Sequence, residues 1–305
     1  MQSSSTSIWE LASVGNRASP HEDLGAGLQP VPYRSLDNEA PGGSINSNLV
    51  DMANWVRFQL AGGEWNRRRL ISAEALEETH TPQTLIPLNE TTTRLNPGIH
   101  FSAYAFGWQV QDYRGRKLIQ HSGGIDGQRS RIALMPEENL GVVILTNRGR
   151  QNLLLDAIKN WILDTYLGKP GTDWSAEFLS VSAEQEEEAA AERKRIEGAR
   201  VPGTSPSLLL ERYTGTYLDS AYGDGHVSLE DGILHLNIGP QIRGSMEHWH
   251  YDTFRIVWDY AYLGDMLATF TMNADGDVIG LELPGWWPKF RRTGDLVPVV
   301  GGPSQ

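Results

Sequence analysis

The run Lys117-Leu118-Ile119-Gln120-His121-Ser122-Gly123-Gly124 decides how the rest of the chain is read. Its first half has strand character and its second half is small and polar. Two further strand candidates follow, 130–135 and 140–146, so the first spans 117–121. The last contains Val142-Val-Ile-Leu145, apolar throughout, as in a strand buried on both faces. Glycines at a strand end let backbone approach a ligand closely. Preorganised N–H groups on such an edge are what a developing oxyanion needs. Taken alone, His121, Ser122, Gly123 and Gly124 are read as a strand running into a glycine-rich turn.

Helices flank these strands. Ser47 is an N-cap candidate, because its hydroxyl can accept from an orphan backbone N–H. Leu49, Met52, Ala53, Val56 and Leu60 follow at helical spacing until Gly62-Gly63. A second short helix starts at Ser72, with Ile71 and Leu76 placed as a hydrophobic staple. A third is expected from about Gln151 to Leu167. Its apolar stripe is Leu154, Ala157, Ile158, Trp161, Ile162 and Thr165, and Gly168 with Pro170 stops it.

Further on, the character changes. Glu184-Gln-Glu-Glu-Glu188 and Arg193-Lys-Arg195 read as a solvated helix, acidic first and basic last, which suits the helix dipole. From Tyr213 on, short alternating segments recur: 213–217, 226–229, 233–237, 253–258, 266–271, 278–283 and 289–292. Asp231-Gly232 and Asp275-Gly276 are preferred hairpin dipeptides. Such spacing predicts an antiparallel barrel or sandwich. The expected organisation is 1–168 mixed helix and strand, 169–207 a charged helical connector, 208–296 a β-barrel, and 297–305 a loose tail.

Composition removes several classes. The chain has 305 residues, a net charge of −12 and a pI near 5.1, which argues against nucleic acid as a partner. With no cysteine there is no disulfide, thiolate metal site or cysteine nucleophile, and the compartment stays open. The opening MQSSSTSIWELAS has neither a basic start nor an apolar core, so no signal peptide is read in it. No stretch approaches ~18 consecutive apolar residues, so no membrane span is expected. No cofactor is expected. Asn273-Ala-Asp275-Gly-Asp277 lacks calcium-loop spacing and reads as a hairpin turn. His248 and His250 would share one strand face, but without a third ligand they read as ordinary histidines rather than a metal site. Trp286-Trp287 reads as core packing.

His121-Ser-Gly-Gly124, with Ile132-Ala-Leu-Met-Pro136 and Leu140–Asn147 behind it, resembles the third active-site motif of serine β-lactamases and penicillin-binding proteins, class C-like, β-lactamase-related members in particular. Ala18-Ser-Pro-His21, Val31-Pro-Tyr33, Leu36-Asp-Asn38, Pro41–Ser47 leading into Asp51–Trp55, Arg69–Ser72, His80–Gln83 and Phe106-Gly-Trp108 resemble the same family. The strand-rich part looks like the small lipocalin-like barrel appended to many members. The resemblance implies an α+β fold: part of a β-lactamase/transpeptidase-like domain, an antiparallel sheet with helices, then a small antiparallel barrel. It implies acyl-enzyme chemistry, in which a serine attacks an amide or ester and water deacylates. It places His121 and Ser122 against the bound acyl group and Gly124 N–H as one oxyanion donor.

The family's nucleophile lies in Ser-x-x-Lys. The five lysines are 117, 159, 169, 194 and 289, and three residues before them stand Arg114, Asp156, Tyr166, Ala191 and Trp286. None of the ten tyrosines is followed two residues later by Asn, so Tyr-x-Asn is missing too. Ser44-Ile-Asn46 matches Ser-x-Asn in letters, but just before a helix cap, outside the region where the motif belongs. The expectation is a truncated serine hydrolase, inactive alone, acting on small-molecule or peptide substrates in a longer form. Its sheet would lose cover, which predicts self-association. The alternative is a non-catalytic binding protein built on the sheet and barrel.

Overall fold

The computed structural model describes residues 1–25, 27–149, 152–220, 222–239, 242–259, 263–264, 266–284 and 289–293. Trp286-Trp287 and the tail 297–305 lie outside the described residues. The chain separates into two compact units, Met1–Ala189 and Ala190–Gln305.

The first unit opens with a small hairpin of β1 (His21–Asp23) and β2 (Leu28–Pro30). Helix α1 (Ala40–Gly43) and helix α2 (Leu49–Leu60) follow. The α2 cap is Asn48, whose side chain accepts from Asp51 N–H, and not Ser47. Ser47 stands one residue outside and its hydroxyl lies 2.8 Å from Ser4 Oγ. The hairpin β3 (Glu64–Trp65) and β4 (Arg68–Arg69) leads to α3 (Ala73–Thr79), capped by Ser72 as expected. Then come β5 (Thr84–Leu85), α4 (Glu90–Leu95), β6 (Ser102–Tyr104), β7 (Gln109–Tyr113), β8 (Arg116–Ile125), β9 (Gln128–Met135) and β10 (Leu140–Thr146). They form one six-stranded antiparallel sheet in the order β10-β9-β8-β7-β6-β5. The three strands expected around the opening motif are its centre and one edge.

Helices cover both faces of this sheet. On one, Val56 and Leu60 of α2 pack with Val110, Ile119, Leu134 and Trp108. Close approach is required there: a Cβ on Gly141 of β10 would lie 2.1 Å from Val56 Cγ1. On the other, Leu163 and Ile162 of α5 (Asn152–Tyr166) pack with Leu118, Ala133, Met135 and Val142. Fully burying each aliphatic side chain contributes ~1.5–3 kcal/mol.

The stripe expected for α5 is only partly the buried one: Ala157 and Ile162 face inward, and the rest of it does not. Leu154, Ile158 and Trp161 are 49%, 37% and 61% exposed, while Leu155, Ala157, Lys159, Asn160, Leu163 and Asp164 are buried. The reason is pairing. Asp164 accepts from Tyr113 Oη (2.8 Å), Arg114 Nη2 (2.9 Å) and Trp174 Nε1 (3.0 Å). A buried charge so satisfied can go inside, and periodicity of apolar residues does not register it. Helix α6 (Trp174–Gly198) begins on buried Trp174, Phe178 and Val181, and its residues 184–195 are exposed.

The second unit is a closed barrel of β11 (Gly215–Asp219), β12 (Gly223–Glu230), β13 (Ile233–Gly239), β14 (Ile242–His250), β15 (Thr253–Trp258), β16 (Met266–Met272), β17 (Val278–Glu282) and β18 (Lys289–Arg292). Pairing of Tyr217 with Arg292 and Leu218 with Arg291 closes it. Side chains fill the interior, among them Tyr213, Tyr217, Leu236, Phe254, Ile256, Phe270 and Phe290. Tyr213 belongs to the short helical turn Leu210–Tyr213, so the first strand starts later than expected. Strand β14 is absent from the expected series. Its alternation, Gly244 and Met246 inside with Arg243 and Glu247 outside on either flank, is weakly apolar and is interrupted by a register shift between His248 and His250. Asp231 and Gly232 take φ of 51° and 80°, as the tight hairpin requires.

Candidate active site

Strand β8 pairs with β9 along its length, from Ile119↔Leu134 to Ile125↔Gln128. Its partner on the other side, β7, stops at Gln109↔Gln120. From His121 to Ile125, therefore, β8 is paired on one side only. The four candidate residues occupy that half-free edge. Ser122 and Gly124 are exposed, and His121 and Gly123 are half-buried. Among the described residues no strand covers the open side.

Cross-strand packing against β9 favours small residues here. A Cβ on Gly123 would lie 2.3 Å from Ser130 Oγ, its cross-strand partner on β9. A Cβ on Gly124 would lie 3.2 Å from Arg129 Nη1. The turn after the edge is clamped from β1. Glu22, 1% exposed, accepts from Gly127 N–H at 2.9 Å, and His21 N–H donates to Gly127 carbonyl at 3.1 Å. Asp126, also buried, lies 3.8 Å from Arg34.

Beneath the strand runs a string of polar side chains. Lys159 of α5 donates to Gln120 Oε1 at 2.8 Å and lies 3.0 Å from Asp156 Oδ1. Asp156 also takes Arg131, which stands opposite Ser122 on β9. Gln120 donates to Gln109 Oε1 at 3.3 Å, and Gln109 to Ser102 Oγ at 3.1 Å. Burial pushes the Lys159 ammonium below its ordinary range, and Asp156 opposes that shift. On the open side Tyr104 Oη lies 3.1 Å from His121 Nε2.

The four candidate residues are contiguous on this edge, whereas Tyr104, Arg131, Asp156 and Lys159, which the sequence did not single out, reach its surroundings from other elements. Asp156, Lys159, Asn160 and Asp164 do stand at helical spacing, and that polar stripe was the available signal. Ser44 and Asn46 are occupied elsewhere. Ser44 Oγ donates to Ala40 carbonyl at 2.9 Å, and Asn46 forms a backbone bridge with Ser5. His248 Nε2 contacts Tyr251 carbonyl at 2.9 Å, and His250 Nδ1 accepts from Val201 N–H at 3.2 Å. In the loop 273–277, Asn273 Oδ1 accepts from Asp275 and Asp277 N–H, so it is a hairpin turn closed by its own side chain. Among the described residues no three metal-ligating side chains cluster, and no helix is long and apolar enough to cross a membrane.

The family profile described as Beta-lactamase matches residues 3–165, more than half of the chain and the whole of this sheet. The chain belongs to the beta-lactamase family. A second profile, a domain of unknown function (DUF3471), matches residues 199–295, the barrel. Among curated relatives, the "Unguisins hydrolase ungD'" of Aspergillus campestris is 27% identical over 201 residues, 64% of this chain and 36% of that protein. "Protein flp" of Staphylococcus aureus is 28% identical over 137 residues, 43% of this chain and 24% of that protein. The chain thus spans little more than a third of the first relatives' length, 36% and 39%. An octameric penicillin-binding protein homologue from Pyrococcus abyssi aligns with a TM-score of 0.47 at 18% identity, over 95% of this chain and 56% of that one. The antiparallel sheet with helices and the closed barrel are the α+β architecture expected for this beta-lactamase-family chain.

Proposed function

We propose that the chain carries the acyl-binding side of a serine hydrolase site. In this reading His121 and Ser122 face the acyl group of an amide or ester. Gly123 keeps the edge clear, and Gly124 N–H is one oxyanion donor. The single observation that carries it is the one-sided edge at 121–125, where backbone donors and acceptors have no strand partner on the open side. Such groups are available to a substrate at no cost in lost pairing. The attacking serine and its own N–H come from outside these 305 residues, because no Ser-x-x-Lys occurs within them. Without that second donor, and without a nucleophile, the chain by itself is catalytically silent; removing one oxyanion donor alone typically costs ~10²–10³ in rate.

The proposed division remains 1–168 as the beta-lactamase-related portion, 169–207 as connector and 208–296 as appended barrel. The exposed stripe of Leu154, Ile158 and Trp161 and the outer edge of β10, which pairs with no further strand among the described residues, support self-association of the first portion. The test has two arms. Nitrocefin and p-nitrophenyl acetate should not be turned over above background. N-acetylglycine amide should perturb the backbone amide signals of 121–125 and leave those of the barrel in place. Perturbation confined to the barrel would move the site and defeat the proposal.

A further inference from the structure

Tyr104 is fixed by strand pairing on both sides. It stands opposite Gln109 on β7 and Thr84 on β5, and its carbonyl accepts from Gln83 N–H at 3.0 Å. His121 is carried by β8 opposite Ile132. Between these two anchored backbones the side chains meet. Tyr104 Oη lies 3.1 Å from His121 Nε2, and the rings stand edge-on with centroids 6.1 Å apart. Among the described residues neither the phenol nor the imidazole has another hydrogen-bond partner. The Nδ1 side of His121 is thus left for whatever occupies the open edge.

A neutral imidazole carries one proton, and the partner of one nitrogen decides which nitrogen keeps it. A phenol oxygen is a much weaker base than an imidazole nitrogen and its O–H is a good donor. A phenol that donates to Nε2 at this 3.1 Å contact leaves the ring proton on Nδ1. We infer that Tyr104 is a positioning residue that locks His121 in its Nδ1–H form, making it a hydrogen-bond donor toward a carbonyl oxygen of the substrate. This rests on the proposed placement of His121 against the acyl group. It does not depend on where the nucleophile comes from. A lone imidazole in water favours the Nε2–H form and turns freely about its side-chain bonds. The phenol removes both freedoms, which is how a strand-borne site is held to useful precision.

The test uses the 305-residue chain labelled with ¹⁵N-histidine, at a pH where the ring is neutral. Long-range proton–nitrogen correlation distinguishes the two tautomers, and His121→Gln identifies the signal. Expected is a protonated Nδ1 and an unprotonated Nε2 at His121. Tyr104→Phe, which keeps the ring and removes only the hydroxyl, should invert that pattern toward Nε2–H and leave the barrel histidines 226, 235, 248 and 250 unmoved. An Nε2–H ring in the unsubstituted chain, or a pattern unchanged in folded Tyr104→Phe, overturns the inference. Addition of N-acetylglycine amide should shift the His121 Nδ1–H signal, and shift it less in Tyr104→Phe. If the tautomer is as expected but the amide leaves the ring unmoved, the donor role is overturned through the site placement, while the pairing with Tyr104 stands.

Discussion

The interior of the barrel and the underside of the sheet are built from different materials. The barrel is filled by Tyr213, Tyr217, Phe254 and Phe270, with Tyr213 and Phe270 centroids 4.8 Å apart. The sheet meets α5 partly through apolar residues and partly through Gln109, Gln120, Arg131, Asp156 and Lys159. Apolar burial is non-directional and scales with area. Hydrogen bonds are directional, and a buried polar string is costly unless its members are paired. The polar string specifies where α5 sits on β8 and β9, directly behind the proposed acyl-binding edge.

The sharpest way to separate the two regions is to damage each by its own means. Phe270→Ala removes an aromatic side chain from the centre of the barrel and should cost about 3–5 kcal/mol. Urea unfolding, followed through hydrogen exchange of the barrel amides, would show it. A loss under about 1 kcal/mol would mean the interior is not packed around that ring. Asp164→Ala should cost about 3 kcal/mol in the first unit, because Tyr113, Arg114 and Trp174 each lose an acceptor. Asp164→Asn, which keeps an acceptor oxygen, should recover part of that loss.

Alkaline titration gives a smaller contrast with a definite sign. Burial and the neighbouring Asp252 push the Tyr213 phenol from 10.0 up to about 12. The folded barrel keeps that proton where the unfolded chain releases it. Its contribution to stability is full below pH 10 and is lost as pH rises toward 12. Lys159 works the other way. Its folded value lies below 10.5, so its ammonium opposes folding most at lower pH and the penalty fades as pH approaches 10.5. Melting temperature against pH should fall above 10 less steeply in Tyr213→Phe. In Lys159→Met the first unit should lose its rise toward 10.5. Profiles identical to the unsubstituted chain would contradict both assignments. The smallest stability effect is expected at Trp161, which is 61% exposed. Trp161→Ala should change stability by no more than about 0.5 kcal/mol, while lowering self-association measured by sedimentation. A loss above about 3 kcal/mol would place Trp161 in the core after all.

That last substitution also marks how far the sequence could be read. The strands around 117–146 were legible because Val142–Leu145 is continuously apolar and the turns between them are polar. The barrel was legible by its alternation, except at β14, where Arg243 and Glu247 alternate with a glycine and a bulge hides the rest. Helix α5 was located and its stripe was right at Ala157 and Ile162 but wrong at Leu154, Ile158 and Trp161, since an apolar moment cannot register Lys159 and Asp164 being buried by pairing. Asn48 and Ser47 are adjacent capping residues of similar preference, and only the hydrogen bond to Asp51 separates them. The edge residues His121–Gly124 could be singled out as candidates because they are contiguous. Tyr104, Arg131, Asp156 and Lys159 come from three other elements, and local spacing connects only Asp156 with Lys159.

If the chain holds the acyl-binding side of the proposed site and not its nucleophile, a fluorophosphonate probe finds no serine to label, and intact-mass measurement after exposure shows whether it does. The expected result is an unmodified chain, with any trace labelling scattered over several hydroxyls. Stoichiometric addition to a single serine, abolished by unfolding, would contradict it.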